Sequence, residues 1–339
     1  MAQISETKQK VKFYQTGTLT VGNRLLDKEH RSVQGTIDRS NSLDSGHRAC
    51  QGCGEALGAR YAIDAAMRAT NNRLIATNAT GCLEVFTTPY PETAWSIPWI
   101  HSLFGNAAAV GAGVAAAMKA KGREDVRVIA QGGDGGTVDI GMGCLSGMFD
   151  RNDDVLYICY NNEGYMNTGV QRSSATPGAA RTATTMPVGS EPGNEFGTGK
   201  SVPLVAMGHR IPYAATASVH NLHDLEQKVE KAMAFRGARY MEVHVPCPLG
   251  WGSRPGDTIK IARLAVETGM FPLFEAEDGE VTRVTKIRRH QPVSEYLKVQ
   301  RRFAHVFKKG NEHQLAALQA IANWNIKRFD LLSSVVGEA

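Results

Sequence analysis

The most constraining feature of this sequence is the stretch QGGDGGTVDIG at 131–141, which sets Asp134 between two pairs of glycines directly after the apolar run Val126 to Ala130. An apolar run that empties into a glycine-rich turn and then a helix is a strand-to-helix junction, and such turns let the backbone come close to an anion. The next polar knot, YNNEGYMNTG, occupies 160–169. Between Gly135 and Asn161 lie 25 residues, 136 to 160, enough for one crossover helix and a strand returning parallel to the first. That spacing predicts Asp134 and Asn162 on neighbouring strand ends at one edge of a sheet. A carboxylate, an amide oxygen and a nearby backbone carbonyl form a hard oxygen set suited to Mg²⁺, which fills the rest of its shell from phosphate oxygens. Gly133, Gly135 and Gly136 would admit a diphosphate, and the helix expected from about Val138 would offer it an N-terminus. The bland alternative is a glycine-rich turn with a surface Asp.

The rest of the chain repeats the pattern. EALGARYAIDAAMRA has helical spacing, LIATNATG reads as a strand entering a loop, and 103–121 reads as a second helix. Strand Val126–Ala130, a helix over about 139–150, strands Val155–Tyr160 and Pro212–Ser218, the helix NLHDLEQKVEKAMAF and strand Tyr240–Val245 follow. The expected fold class is α/β, a mostly parallel sheet with helices on both faces, in which ligands bind beyond the carboxyl ends of the strands. Residues 1–46 read as an N-terminal arm, 47–252 as the binding domain, and 253–339 as a basic, helical C-terminal arm with its clearest helix at PVSEYLKVQRRFAHVF. The Gly/Ser/Thr/Pro-rich loop at 168–200 is long enough to imply a functional or interface role.

Composition narrows the class of function. At 339 residues, 42% hydrophobic and 21% charged, the chain is an ordinary globular protein. The stretch LFGNAAAVGAGVAAAM is shorter than the roughly 18 residues of a spanning helix, and the N-terminus shows no secretory pattern, so the expected location is cytoplasmic with no membrane partner. The net charge of +5 is concentrated in the C-terminal arm, where nine Lys and Arg between Arg283 and Lys309 face the single acid Glu295. Without interleaved aromatics this reads as a solvated face or a subunit contact, with no nucleic acid bound.

Six cysteines in such a chain argue for ligation or burial rather than a disulfide framework. Cys50 and Cys53 form a C-x-x-C at the entry to a helix, while Cys82 and Cys247 each follow a strand. Four thiolates suit a [4Fe–4S] cluster or a structural zinc, although zinc sites usually come as two close pairs in one small unit. Cys159, inside a strand, and Cys144, on a helix, read as packing residues.

GDGG, followed after the crossover spacing by NN, resembles the thiamine-diphosphate signature. NNEGYMNTGVQRSSATP, GHRACQGCGEALGAR, ATGCLEVFTTPYP, IPWIHSLFGNAAAVGAG, GHRIPYAATAS, PCPLGW and IARLAVETGMFPLFE together resemble the β subunit of pyruvate:ferredoxin oxidoreductase and related 2-oxoacid:acceptor oxidoreductases, over roughly residues 46–305. The resemblance implies the thiamine-diphosphate-binding fold and three cofactors: thiamine diphosphate, Mg²⁺ and a [4Fe–4S] cluster. It implies Asp134, Asn162 and the Gly164 carbonyl on Mg²⁺, and Cys50, Cys53, Cys82 and Cys247 on the cluster. It also puts Glu55, Cys82, Gly133, Gly135, Gly136 and the segment Asn162, Glu163, Gly164, Tyr165, Met166 and Asn167 at the thiamine cofactor, with Asn167 reaching the reacting centre.

The activity implied is oxidative decarboxylation of a 2-oxoacid, pyruvate first, with coenzyme A to an acyl-CoA and carbon dioxide, electrons leaving singly through the cluster to ferredoxin or another acceptor. An aromatic 2-oxoacid such as phenylglyoxylate, or a branched-chain one, is the alternative substrate. A non-oxidative thiamine decarboxylase or synthase, and a non-catalytic iron–sulfur or zinc scaffold subunit, are the alternative functions. No glutamate here sits in a recognisable motif for the aminopyrimidine ring, and no run of ferredoxin cysteines is present. The implied partners are therefore an α subunit supplying that glutamate and the substrate contacts, and a ferredoxin-like electron-transfer subunit.

Overall fold

Strands β1 (Leu74–Ala79), β2 (Trp99–Ser102), β3 (Arg127–Gly133), β4 (Val155–Asn161), β5 (Tyr213–Ser218) and β6 (Arg239–His244) run parallel, in the order β2-β1-β3-β4-β6-β5, and antiparallel β7 (Phe274–Glu277) and β8 (Glu280–Val284) complete the eight-stranded sheet beside β5. The computed structural model describes residues 41–88, 93–189, 191–195 and 197–332. Most of the expected N-terminal arm, residues 1–40, lies outside the described residues.

Period-two alternation along the central strands splits the core between two faces. Ile129, Leu156, Ile158 and Tyr160 pack under α1 (Gly54–Ala69) and α6 (Leu222–Ala234), whereas Val128, Ala130, Val155, Tyr157 and Cys159 pack under α3 (Ala107–Ala120), α4 (Met142–Asp150) and α5 (Val202–Gly208). Strands buried on both faces explain why VRVIA and VLYICY are nearly continuous apolar runs. The α/β class, the mostly parallel sheet and helices on both faces are as the sequence implies.

The connection from β3 to β4 is the expected crossover, with Gly133 in register with Tyr160. Its entry differs from the expectation. The helix foreseen from about Val138 starts earlier, as a single π-type turn, Gly135–Ile140, and α4 follows from Met142. Such wide turns are rare and cluster at functional sites.

Three further differences have local causes. The short edge strand β2 was not foreseen because four residues of mixed exposure carry no period. The C-terminal segment, expected to be helical, also supplies β7 and β8 to the sheet. The helix expected across PVSEYLKVQRRFAHVF breaks into α9 (Val293–Leu297) and a 3-10 segment, Arg301–Phe307. Gln300 is extended there, and its side-chain amide donates to the Tyr296 carbonyl at 2.7 Å, replacing the hydrogen bond a continuing helix would have made. The chain then turns Arg302 inward, where it is 4% exposed. With α8 (Thr258–Glu267) and α10 (Glu312–Phe329), this arm builds a third apolar cluster around Trp251, Tyr296, Phe303 and Leu318.

Candidate functional site

At the carboxyl ends of β1, β3, β4 and β6 the chain gathers its polar knots. Asp134 follows β3 and is fully buried; its Oδ1 accepts the Asn162 backbone N–H at 3.3 Å and its Oδ2 the Ser173 hydroxyl at 2.5 Å. Asn162 follows β4, and its Nδ2 donates to Oε2 of Glu55, on the first turn of α1, at 2.9 Å. Asn162 Oδ1 is buried without a hydrogen-bond partner, and Glu55 Oε1 has no close one, although the Leu83 backbone N–H also steadies that carboxylate. Leaving such atoms unpaired is costly in a closed interior, and a bound cation or cofactor at this place would satisfy them.

Electrostatics point the same way. Burial pushes the Asp134 carboxyl up to about 8, against the Ser173 hydroxyl, with a further push from the Glu55 charge. Burial pushes Glu55 up to about 7, the Asn162 amide opposing. Two buried acids with no cation beside them among the described residues fit a divalent ion, whose charge would restore their ionised forms. Among the described residues no three His, Cys, Asp or Glu side chains gather as ligands of one ion. Asp134 would be the only such side chain in a magnesium site completed by amide, carbonyl and phosphate oxygens.

Of the twelve residues expected at the cofactor, eleven line one cavity: Glu55, Cys82, Gly133, Asp134, Gly135, Gly136, Asn162, Gly164, Tyr165, Met166 and Asn167. Thr80, Gly81, Phe104 and Thr168, none of them foreseen, complete its wall. Glu163 is absent from it, because its carboxylate turns away to Arg302 and toward His244. The three glycines do different jobs. A Cβ on Gly135 would lie 2.4 Å from the Tyr165 ring, and one on Gly136 would lie 2.9 Å from the Phe104 carbonyl. At Gly133 the nearest atom would be 4.0 Å away, so only there among the three is a side chain's space left open.

The long loop expected to have a functional or interface role sends Ser174 and Lys200 over the π-type turn. The Tyr165 hydroxyl at 3.2 Å and the Ser174 N–H at 3.0 Å both donate to Asp139 Oδ2, and Lys200 Nζ donates to the Val138 carbonyl at 3.1 Å. Ser173, which bonds Asp134, and Asp139, which holds Tyr165 and Ser174, are polar neighbours of the site that sequence reasoning missed. Neither stands in a spacing that foretells contact, since 39 residues separate Ser173 from Asp134.

Cys53 N-caps α1, Cys82 opens α2 (Cys82–Thr87), and Cys247 N-caps the short α7 (Pro248–Trp251), so three thiols sit at helix N-termini, Cys82 among them lining the cavity. Burial first, then the Glu55 charge, pushes Cys53 up to about 12 and Cys82 higher still. Burial pushes Cys247 up to about 11. Ionised Cys247 raises both other thiols, and Cys50 raises Cys247, so the four are electrostatic neighbours. A single tetrahedral zinc would need sulfurs about 3.8 Å apart, from its bond length near 2.3 Å, and no such group is found among the described residues. Cys159 is fully buried in β4, and Cys144 packs against the core on α4, as packing residues do. Among the described residues no helix is long and apolar enough to cross a membrane.

Residues 79–243 match the family model of the thiamine pyrophosphate enzyme C-terminal TPP-binding domain. The pyruvate synthase subunit PorB of Methanosarcina barkeri is 48% identical over 85% of this chain and 97% of its own length. The ketoisovalerate oxidoreductase subunit VorB of Pyrococcus abyssi is 38% identical over 88% of this chain and 95% of its own. The solved 2-oxoglutarate:ferredoxin oxidoreductase of Magnetococcus marinus shares the fold, with a TM-score of 0.53 at 22% identity over 66% of this chain and 79% of that one.

Proposed function

Since this chain belongs to the PorB family, the thiamine-diphosphate-binding subunits of pyruvate synthases and related 2-oxoacid oxidoreductases, we propose that it serves the oxidative decarboxylation of pyruvate with coenzyme A, as the subunit that carries a [4Fe–4S] cluster as well as thiamine diphosphate and Mg²⁺. The single observation that carries this reading is the buried set of Asp134, Asn162 and Glu55, gathered in one cavity with Cys82, whose thiol feels the charges of Glu55, Cys247 and Cys53.

Asp134, the Asn162 side-chain oxygen and the Gly164 carbonyl would hold Mg²⁺. The open space at Gly133 would admit the diphosphate. Glu55 holds the Asn162 amide nitrogen, which fixes the amide with its oxygen toward the cation. When bound, thiamine diphosphate supplies the electron sink on which a 2-oxoacid loses carbon dioxide. Tyr165, braced on Asp139 and Phe104, closes one wall against water, and Asn167, exposed at the rim, is within reach of a substrate. Cys50, Cys53, Cys82 and Cys247 would hold the cluster, with electrons passing singly to ferredoxin or another acceptor on a partner subunit. The glutamate for the aminopyrimidine ring would come from another subunit, in a cytoplasmic complex.

A branched-chain 2-oxoacid is the second reading, supported by the likeness to the ketoisovalerate oxidoreductase subunit. The scaffold reading gives no reason for two buried carboxyls, Asp134 and Glu55, raised by burial in one cavity. Iron, sulfide and thiamine diphosphate measured in the anaerobically purified complex, followed by dye reduction with a panel of 2-oxoacids and coenzyme A, tests the proposal. Thiamine without iron would overturn the oxidative part, and iron without thiamine the catalytic part.

A further inference from the structure

Behind the cavity, residues from far apart in the chain converge on one loop residue. Glu163 sits between Asn162 and Gly164 with φ at 65°, the left-handed region that a glutamate seldom adopts. Each of its polar groups is taken. Its N–H donates to Asn161 Oδ1 at 2.9 Å and its carbonyl accepts the Thr176 hydroxyl at 2.8 Å. Arg302 Nη2 donates to one carboxylate oxygen, and His244 Nε2 lies 3.5 Å from the other.

Arg302 does more than neutralise Glu163. Its guanidinium lies 3.8 Å from the centroid of the Trp251 ring, and its Nε donates to Gln300 Oε1 at 2.8 Å. The Trp251 indole N–H in turn donates to the Asn162 carbonyl at 2.8 Å. One buried cation from the C-terminal arm thus braces the strand end that carries Asn162 against α7, the helix that Cys247 caps. The same charge opposes the upward push of burial on the Cys247 thiol.

A buried ion pair adds little stability compared with apolar residues of the same volume. An unfavourable backbone conformation persists only where its surroundings over-determine it, and such residues gather at ligand-binding loops. Those two facts together explain an arginine here by geometry rather than by stability.

We propose that Arg302 is a positioning residue: by clamping Glu163 and Trp251 it fixes residues 162–164 so that the Asn162 side-chain oxygen and the Gly164 carbonyl face a divalent cation. This rests on the reading of Asp134 and Asn162 as a magnesium–diphosphate site.

The test uses the intact complex and titrates Mg²⁺ at a fixed thiamine diphosphate concentration, reading bound cofactor by equilibrium dialysis beside the thermal midpoint. The double variant Arg302→Met with Glu163→Leu replaces the pair by apolar residues. Its midpoint is expected to stay near that of the unaltered complex while half-saturating Mg²⁺ rises about tenfold or more, as for groups that orient metal ligands. An unchanged Mg²⁺ requirement in the double variant overturns the proposal. Should that variant fail to assemble, Arg302→Lys, which keeps the charge and loses the planar stacking and fork, is titrated instead, with a raised Mg²⁺ requirement expected and an unchanged one overturning the clamp. Cofactor binding that ignores Mg²⁺ in the unaltered complex and survives Asp134→Asn would overturn the underlying site, a result distinct from either Arg302 variant's.

Discussion

Glu55 and Asn162, 107 residues apart in the chain, meet through a 2.9 Å hydrogen bond that uses one oxygen of the acid and the nitrogen of the amide, leaving Asn162 Oδ1 unpaired and Glu55 Oε1 without a close partner. The helix start and the strand end are thereby tied at the point where a cation and a cofactor are proposed to bind. Disturbing this tie, or the groups around it, has measurable consequences.

Ser173 donates to Asp134 Oδ2 at 2.5 Å and so orients a proposed magnesium ligand. Ser173→Ala is expected to weaken Mg²⁺-dependent thiamine retention by about 10–100-fold, the usual effect of removing a hydrogen bond behind a metal ligand. Asp134→Asn is expected to abolish retention in the same dialysis measurement. Unchanged retention in both would remove Asp134 from the site.

The pH dependence follows from two raised acids. Asp134, near 8, and Glu55, near 7, hold protons in the metal-free folded chain over a range where unfolded acids have lost them. The native state then binds more protons than the unfolded state, so stability of the cofactor-depleted complex should fall as pH rises from about 4 to about 8 and level off above. Binding of Mg²⁺ with thiamine diphosphate should release protons and tighten over the same interval. Thermal midpoints and calorimetric binding in two buffers of different ionisation heat check both signs. A depleted complex that gains stability from pH 5 to 8 would contradict the assignment.

Gly135→Ala places a methyl 2.4 Å from the Tyr165 ring. The expected cost is about 1–3 kcal/mol, typical of overpacking, read by denaturant unfolding. In the double variant with Tyr165→Ala most of that cost should disappear, because the clash partner is gone. Additive losses would mean that the glycine is needed for its backbone alone.

Cysteine replacements separate ligands from packing. Cys82→Ser and Cys247→Ser should each lower iron and sulfide in the anaerobic complex, whereas Cys144→Ser should leave both unchanged. Iron lost from the Cys144 variant instead would make Cys144 a ligand and overturn the assignment.

The local signals explain how much could be read without coordinates. Gly-Asp-Gly after an apolar run, 25 residues of crossover and a pair of asparagines are near-neighbour information. Parallel pairing of β3 with β4 follows from them, and it delivers Asp134 and Asn162 to one place because crossover connections have little freedom. Cys144 and Cys159 were legible as packing residues for the same reason, since periodicity within a helix or strand fixes which side faces the core.

Long-range pairing is what the chain order concealed. Ser173 reaching back to Asp134, Tyr165 filling the space over Gly135, and Arg302 leaving a basic surface run to lie buried against Glu163 all depend on which segments pack together in three dimensions. A run of Lys and Arg looks the same in sequence whether it is solvated or contains one buried member. Only the break at Gln300, and the acid and indole waiting behind β4 and α7, decide that Arg302 turns inward. Sequence alone therefore determined the strand-end chemistry, where spacing constrains geometry, and the tertiary structure decided what holds that chemistry in place, where the cost of burying a charge selects the partner.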